Sequence, residues 1–192
     1  MNTLRQWFLS EFSTDELSQI ALKMAILGNG SLTPGEVLPR NYVKHLYNIA
    51  GCFINDPSTA ERFLLKATEL IDTGDYTVLD EFFLYSESIR IFYKNRGVAS
   101  CKYKAIEACI QQIKMAPAAM KAFEETPGFS RDHLSVHNGY NHLAWILEED
   151  RKYKQTIALC GQAMKQGWPG EWNALIVRCR HKAQDTTLAS QS

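Results

Sequence analysis

The residues best suited to chemistry are three histidines, His133, His137 and His142, the first of them preceded by Asp132. Imidazole is a common metal ligand, and the spacing of His133 and His137 would place both rings on one face of a helix. This pattern supports the hypothesis of a small His- or metal-dependent enzyme. However, His142 lies roughly 140° around such a helix from His137 at 3.6 residues per turn. The H-E-x-x-H arrangement is also missing, so we favour histidines near a helix start or in a binding surface, and we expect no metal and no cofactor.

The cysteines give no sign of a reactive or metal-binding motif. They are odd in number, lie far apart and include no C-x-x-C pair, which argues against a disulfide framework or a zinc ribbon. Cys109, Cys160 and Cys179 fall on apolar stripes, where a thiol is usually inert. Together with Cys52 and Cys101, they indicate small buried residues in a reducing compartment. We therefore expect a cytoplasmic protein that is not an enzyme.

The balance of charge bears on the kind of partner. The chain has 21 Lys and Arg against 21 Asp and Glu, and it contains no basic block of the kind that binds phosphates or an anionic membrane. The apolar run Trp7-Phe8-Leu9 is interrupted by Ser10 and Glu11, far short of a signal peptide or a membrane span. We expect neither nucleic acid nor membrane as a partner.

The elements that position these residues are predicted to be helices. Apolar residues recur at helical spacing in almost every segment between Gly and Pro residues, which indicates an all-α fold. Ser13 and Glu16 have the spacing of a capping box, and Asp56 can cap a helix that has Pro57 in its first turn. We predict that Ser100 caps a later helix, and that Pro117 ends this helix or begins a short successor.

Turn residues suggest how the chain is organised. Thr126-Pro127-Gly128 is the clearest linker. It separates a helical N-terminal region, 1–126, with about six helices, from a helical hairpin and capping helix at 127–184. We expect these parts to pack as one continuous domain and the tail, 185–192, to be disordered. Trp168 and Trp172 flank a tight turn; we favour rings that hold the last helix on the hairpin over an exposed recognition surface.

The hairpin resembles a tetratricopeptide repeat, a motif of roughly 34 residues with large and small apolar residues at fixed positions. The matching residues of segment 137–168 are Tyr140, Leu143, Ala144, Leu147, Tyr153, Cys160 and Ala163. A fainter copy covers 86–119, with Ala105, Cys109 and Pro117 in register. The resemblance implies stacked antiparallel helical hairpins in a tetratricopeptide-like α-α superhelix with irregular repeats.

The resemblance also implies a function. Tetratricopeptide-like proteins generally bind peptides or protein surfaces in a groove lined by the first helix of each hairpin. We therefore expect a non-enzymatic scaffold or adaptor whose partner is a protein or a peptide. A homo-oligomeric structural subunit is the further alternative. The residues that the resemblance places in the groove are Asn138, Asn141, Trp145, Glu148 and Glu149, with Glu87, Arg90 and Lys94 from the fainter copy.

Overall fold

A computed structural model describes residues 3–26 and 41–189, and it confirms the all-α class, since no strand occurs in these ranges. A short 3-10 helix, Arg131–His133, precedes α7. None of the described helices is both long enough and apolar enough to cross a lipid bilayer. The helices are α1 Thr3–Glu11, α2 Thr14–Ile26, α3 Tyr42–Cys52, α4 Pro57–Thr73, α5 Val78–Lys94, α6 Ala99–Glu124, α7 Asn138–Glu149, α8 Tyr153–Lys165 and α9 Trp172–Ala189.

Two of the predicted helix starts are confirmed by their hydrogen bonds. The Ser13 hydroxyl accepts from the Glu16 amide at 3.3 Å, and the Glu16 carboxylate accepts from the Ser13 amide at 2.8 Å. Asp56 accepts from the amide of Thr59 at 3.2 Å, with Pro57 as the first residue of α4. Each side chain satisfies a backbone N–H that has no partner inside the helix. These short signals therefore fix where α2 and α4 begin.

The predictions for α6 are wrong. This helix begins at Ala99 after Val98, which makes no side-chain cap, and it continues through Pro117 for 26 residues. Proline removes one backbone hydrogen bond and normally ends a helix. Here Ala116 and Ala119, on either side of the proline, are fully buried. Burial along both halves of α6 therefore outweighs the local cost, and no successor helix begins at Pro117.

The identity of one N-terminal helix and the end of α9 differ from the prediction. Six helices, α1 to α6, begin within 1–126, which agrees with the predicted number, but α1 was not predicted from the sequence and the short successor after Pro117 does not form. The last helix, α9, continues to Ala189, past the boundary predicted at 184. In the sequence, Gly28 and Gly30 also predict the end of α2, because glycine adopts the left-handed cap conformation without strain; both lie outside the described residues.

Six helices pair into three consecutive hairpins, α3 with α4, α5 with α6, and α7 with α8. We call α3, α5 and α7 the first helices and α4, α6 and α8 the second helices. Each first helix packs against the next one, and each second helix packs against the first helix that follows it or, for α8, against α9. The hairpins are therefore stacked side by side, with α5 at the centre.

Contacts at both ends show that the first helices are parallel. At the start of α3 and α5, Asn41 donates to the Asp80 carboxylate, and at their ends Asn95 donates to the carbonyl of Ile54. The next pair is arranged alike, because the starts of α5 and α7 meet through the rings of Phe82 and His137. Residues at equivalent heights on the three helices can therefore form one surface.

Buried residues form two main clusters that α5 and α7 join. The N-terminal cluster includes Ile91 of α5 and reaches Ile146 of α7, whereas Phe82 of α5 belongs to the C-terminal cluster. Trp168 and Trp172 are buried in the C-terminal cluster, and the Trp172 indole N–H donates to the Trp168 carbonyl at 2.8 Å. Both rings are therefore buried, as predicted, and do not form an exposed recognition surface.

Candidate interaction surface

The three histidines do not share a site. His133 is exposed in the 3-10 helix, His137 is buried at the start of α7, and the ring of His142 contacts Tyr93 of α5. No group of three or more His, Cys, Asp or Glu residues in the described part of the chain is arranged to hold a metal ion. The structure therefore provides no ligand set for the hypothesis of a metal-dependent enzyme that uses these histidines.

His137 has a structural role as the N-cap of α7. Its Nδ1 accepts from the amide of Tyr140 at 3.3 Å, and its ring lies 4.5 Å from that of Trp168. Burial lowers the pKa of His137 to about 3, although nearby backbone carbonyls oppose the shift. The imidazole is therefore neutral at physiological pH, with a lone pair free to cap the helix.

A buried glutamine fixes α7 against α5. The Gln112 amide, on α6, donates to the Phe82 carbonyl at 3.0 Å and to the Ser86 hydroxyl, and its oxygen accepts from the amide of Gly139 at 2.6 Å. Both ends of this fully buried side chain are thus satisfied, which a buried amide requires. The network holds the two first helices in register.

Most of the cysteines are buried side chains of the core. They form no disulfide, and all but Cys52 are buried. Burial raises the pKa of Cys109 to about 12 and that of Cys160 to about 11. Because the thiolate is the nucleophile, these thiols are inert at neutral pH.

The predicted groove residues of α5 lie between α3 and α7. Glu87 pairs with Arg90 one turn along the helix, and a Cβ on Gly51 of α3 would meet both groups. Gly51 therefore allows this pair to lie against α3. Lys94 follows on the same stripe; it is exposed and has no hydrogen-bond or ion-pair partner among the described residues.

On α7, Asn138, Asn141 and Trp145 occupy the stripe between the neighbouring helices. The Trp145 ring is 38% exposed and lies 6.0 Å from that of Tyr93. The side-chain amides of Asn138 and Asn141 have no hydrogen-bond partner among the described residues. These three residues thus combine an aromatic surface with unused donors and acceptors.

The two glutamates at the end of α7 point to different neighbours. Glu149 pairs with Arg96 at 3.1 Å, and the Arg96 guanidinium lies 4.1 Å from the centre of the Tyr93 ring. Glu148 instead binds Arg178 and Lys182 of α9, at 2.7 and 2.9 Å. Hydrogen bonds from these two cations, of which that from Arg178 has the larger effect, lower the pKa of Glu148 to about 2. Glu149 thus ties α7 to the end of α5, and Glu148 ties it to α9.

We call the outward face of α3, α5 and α7 the first-helix surface; it comprises Lys44, Asn48, Phe83, Glu87, Arg90, Lys94, Asn138, Asn141, Trp145, Glu148 and Glu149. All eight residues predicted for the groove lie on these helices. Sequence analysis missed Lys44, Asn48 and Phe83. The helical spacing of the sequence could have identified these residues. Lys44 and Asn48 are one turn apart on α3, and Phe83 lies one turn before the predicted Glu87 on α5.

Comparisons with protein-family models, with curated proteins and with solved structures found no match to this chain.

Proposed function

We propose that the chain is a non-enzymatic scaffold or adaptor of the cytoplasm that binds a peptide or a partner protein on the first-helix surface. The observation that carries the proposal is the exposed Trp145 on the same stripe of α7 as Asn138 and Asn141, whose side-chain amides are unused. Tryptophan is enriched among residues that dominate binding energy. Free amide groups can bond to both the N–H and the C=O of a peptide backbone.

The resemblance to tetratricopeptide repeats supports the same surface. It places the groove on the first helix of each hairpin, and in this chain the first helices are adjacent and parallel. A ligand could therefore contact α3, α5 and α7 at once. Binding would not require a conformational change, because the backbone of a preformed binding surface usually moves little when a ligand binds.

The experiment that tests this proposal is selection of a random library of displayed 12-residue peptides on the purified chain. We expect enriched peptides whose affinity, measured by fluorescence anisotropy, falls at least tenfold in Trp145→Ala, because a central aromatic contributes about 2 kcal/mol or more. Asn141→Ala should weaken binding by a smaller factor, because a neutral hydrogen bond contributes about 1 kcal/mol.

Tyr103→Ala is the matched control, since Tyr103 is an aromatic residue of α6 that is 75% exposed. It should leave the affinity unchanged. Failure to enrich any peptide, or equal loss of affinity in Trp145→Ala and Tyr103→Ala, would overturn the proposal.

A homo-oligomeric structural subunit is a second candidate, favoured by an apolar strip on α2. Leu22 and Ile26, one turn apart, are 62% and 72% exposed. A contiguous exposed apolar patch can mark a site of self-association. Light scattering separates the candidates: a stable oligomer that Leu22→Ser with Ile26→Ser converts to a monomer would support self-association.

A further inference from the structure

The charges of the first-helix surface are unequally satisfied. Its three carboxylates, Glu87, Glu148 and Glu149, are each paired with an arginine. Lys44 of α3 and Lys94 of α5 have no carboxylate partner among the described residues, and both are exposed. The surface therefore offers two unpaired positive charges and no unpaired negative one.

Asp80, at the start of α5, does not alter this balance. Its carboxylate accepts hydrogen bonds from the Asn41 amide and from the Thr77 amide and hydroxyl, at the N-terminus of the helix. A carboxylate in this position is already stabilised by the backbone dipoles of the first turn. It is therefore satisfied without either lysine.

The polar groups and Trp145 lie on three neighbouring parallel helices, with Lys44 near the start of α3 and Lys94 at the end of α5. Neighbouring packed helices are about 8–10 Å apart, so the distance from α3 across α5 to α7 is about 16–20 Å. An extended chain rises about 3.3 Å per residue, so five or six residues would cross the helices at right angles. Lys44 and Lys94 differ in height by about 16 Å at 1.5 Å per helical residue, so a segment that reaches both lysines and Trp145 runs obliquely and needs about nine residues. The amides of Asn48, Asn138 and Asn141 are unused on this path.

From these observations, and resting on the proposed function, we infer that the ligand is an acidic peptide segment in extended conformation. It crosses α3, α5 and α7 with carboxylates near Lys44 and Lys94 and an apolar side chain against Trp145. The asparagine amides bond to its backbone. Electrostatic complementarity of this kind favours acidic over basic partners and speeds their association.

The test uses the same displayed library with two charge-reversed proteins. Peptides selected on the wild-type chain should be enriched in Asp and Glu relative to the unselected library. Selection on the double variant Lys44→Glu with Lys94→Glu should abolish that enrichment. The control is Lys114→Glu with Lys165→Glu, which reverses two exposed lysines of α6 and α8 and should keep the preference for acidic peptides.

A synthetic copy of the most enriched wild-type peptide gives the quantitative readout. Lys44→Gln and Lys94→Gln should each weaken its binding about threefold, as expected for an exposed ion pair. Raising NaCl from 50 to 500 mM should weaken it further, because salt screens surface charges. Circular dichroism checks that every variant remains helical.

The outcomes separate this inference from the proposed function. Peptides that depend on Trp145 but show no acidic enrichment, or keep it in the Lys44→Glu and Lys94→Glu variant, would overturn the inference and leave the proposed function standing. Peptides that bind Trp145→Ala as well as the wild type would overturn both.

Discussion

At the scale of single residues, the buried polar groups of this protein serve its architecture. His137 looks like a chemical group in the sequence, yet its Nδ1 caps α7 and its ring packs among Phe82, Tyr140 and Trp168. Gln112 is equally buried and links α5, α6 and α7. Buried polar groups are usually hydrogen-bonded. Gln112 obtains its partners from the backbone of α5 and α7, whereas His137 bonds through Nδ1 to the backbone of its own helix and its Nε2 is buried without a partner among the described residues.

The buried, neutral state of His137 predicts a dependence of stability on pH. Its pKa is about 3 in the folded chain and about 6.5 when the chain is unfolded. Between these values only the unfolded state takes up the proton, so the free energy of unfolding should fall as the pH drops below 6.5. The slope from this one group is at most about 1.4 kcal/mol per pH unit.

His137→Asn tests this prediction, because asparagine can still cap the helix but does not titrate. Urea unfolding between pH 7.5 and 4.5 should give a smaller slope for the variant than for the wild type. His45 and His142, whose pKa values burial also lowers, contribute equally to both proteins. Identical slopes would show that His137 is not the buried neutral group described here.

Part of the candidate surface could be predicted from single residues and part could not. Trp145, Asn138 and Asn141 were found because the match at 137–168 fixes the register of α7. The partners of the predicted residues are less visible: Tyr93 and Arg96 reach Trp145 and Glu149 only because α5 and α7 are parallel neighbours. Such contacts depend on tertiary packing, which local spacing does not encode.

At the scale of helices, the N-caps could be predicted from the sequence, but the tertiary packing that offsets the cost of Pro117 in α6 could not. Ser13 and Asp56 act through hydrogen bonds to residues three positions away, so a short window of sequence contains the whole signal. Pro117 has a strong local preference against a helix interior. Its effect is overruled by the burial of α6 against α5 and α7, and this information lies elsewhere in the chain.

Helix packing predicts opposite effects for two glycine substitutions. A Cβ on Gly139 of α7 would lie 2.9 Å from the backbone carbonyl of Cys109 on α6, so Gly139→Ala must push the helices apart. We expect a loss of about 2 kcal/mol in the free energy of unfolding. Gly161 of α8 has no atom within 4 Å of its Cβ position. Gly161→Ala should therefore gain up to about 1 kcal/mol from helix propensity.

Urea unfolding of the two alanine variants beside the wild type measures both effects. Both variants replace a helical glycine with alanine and therefore gain the same helix propensity. The difference between their free energies of unfolding measures the cost of the close approach of α6 and α7. A Gly139→Ala variant as stable as Gly161→Ala would contradict the described packing.

At the scale of the whole molecule, stacking turns three hairpins into one surface. Not every hairpin could be recognised in the sequence. The second helix α4 has 17 residues and the second helix α6 has 26, so the hairpins do not repeat at a constant length. The pair α3 and α4 was therefore not recognised as a repeat. The class and the last hairpin were predicted because amphipathic spacing is local. The parallel order of the first helices came only from the structure.

This order gives the first-helix surface its proposed role. α5 lies between α3 and α7, and its exposed stripe is bordered by Gly51 on one side and by Tyr93 with Trp145 on the other. The opposite layer presents the second helices, with Tyr103 and Ile110 exposed on α6. The two layers thus offer separate surfaces to a partner, and a binding experiment can distinguish them.

The most direct test is a chemical-shift titration of the ¹⁵N-labelled chain with a peptide selected from the library. We predict that the perturbed amides lie on α3, α5 and α7, centred on Lys94 and Trp145, while the amides around Tyr103 on α6 stay unchanged. Perturbations centred on α6 with none on α7 would contradict the claim that the first helices form the binding surface.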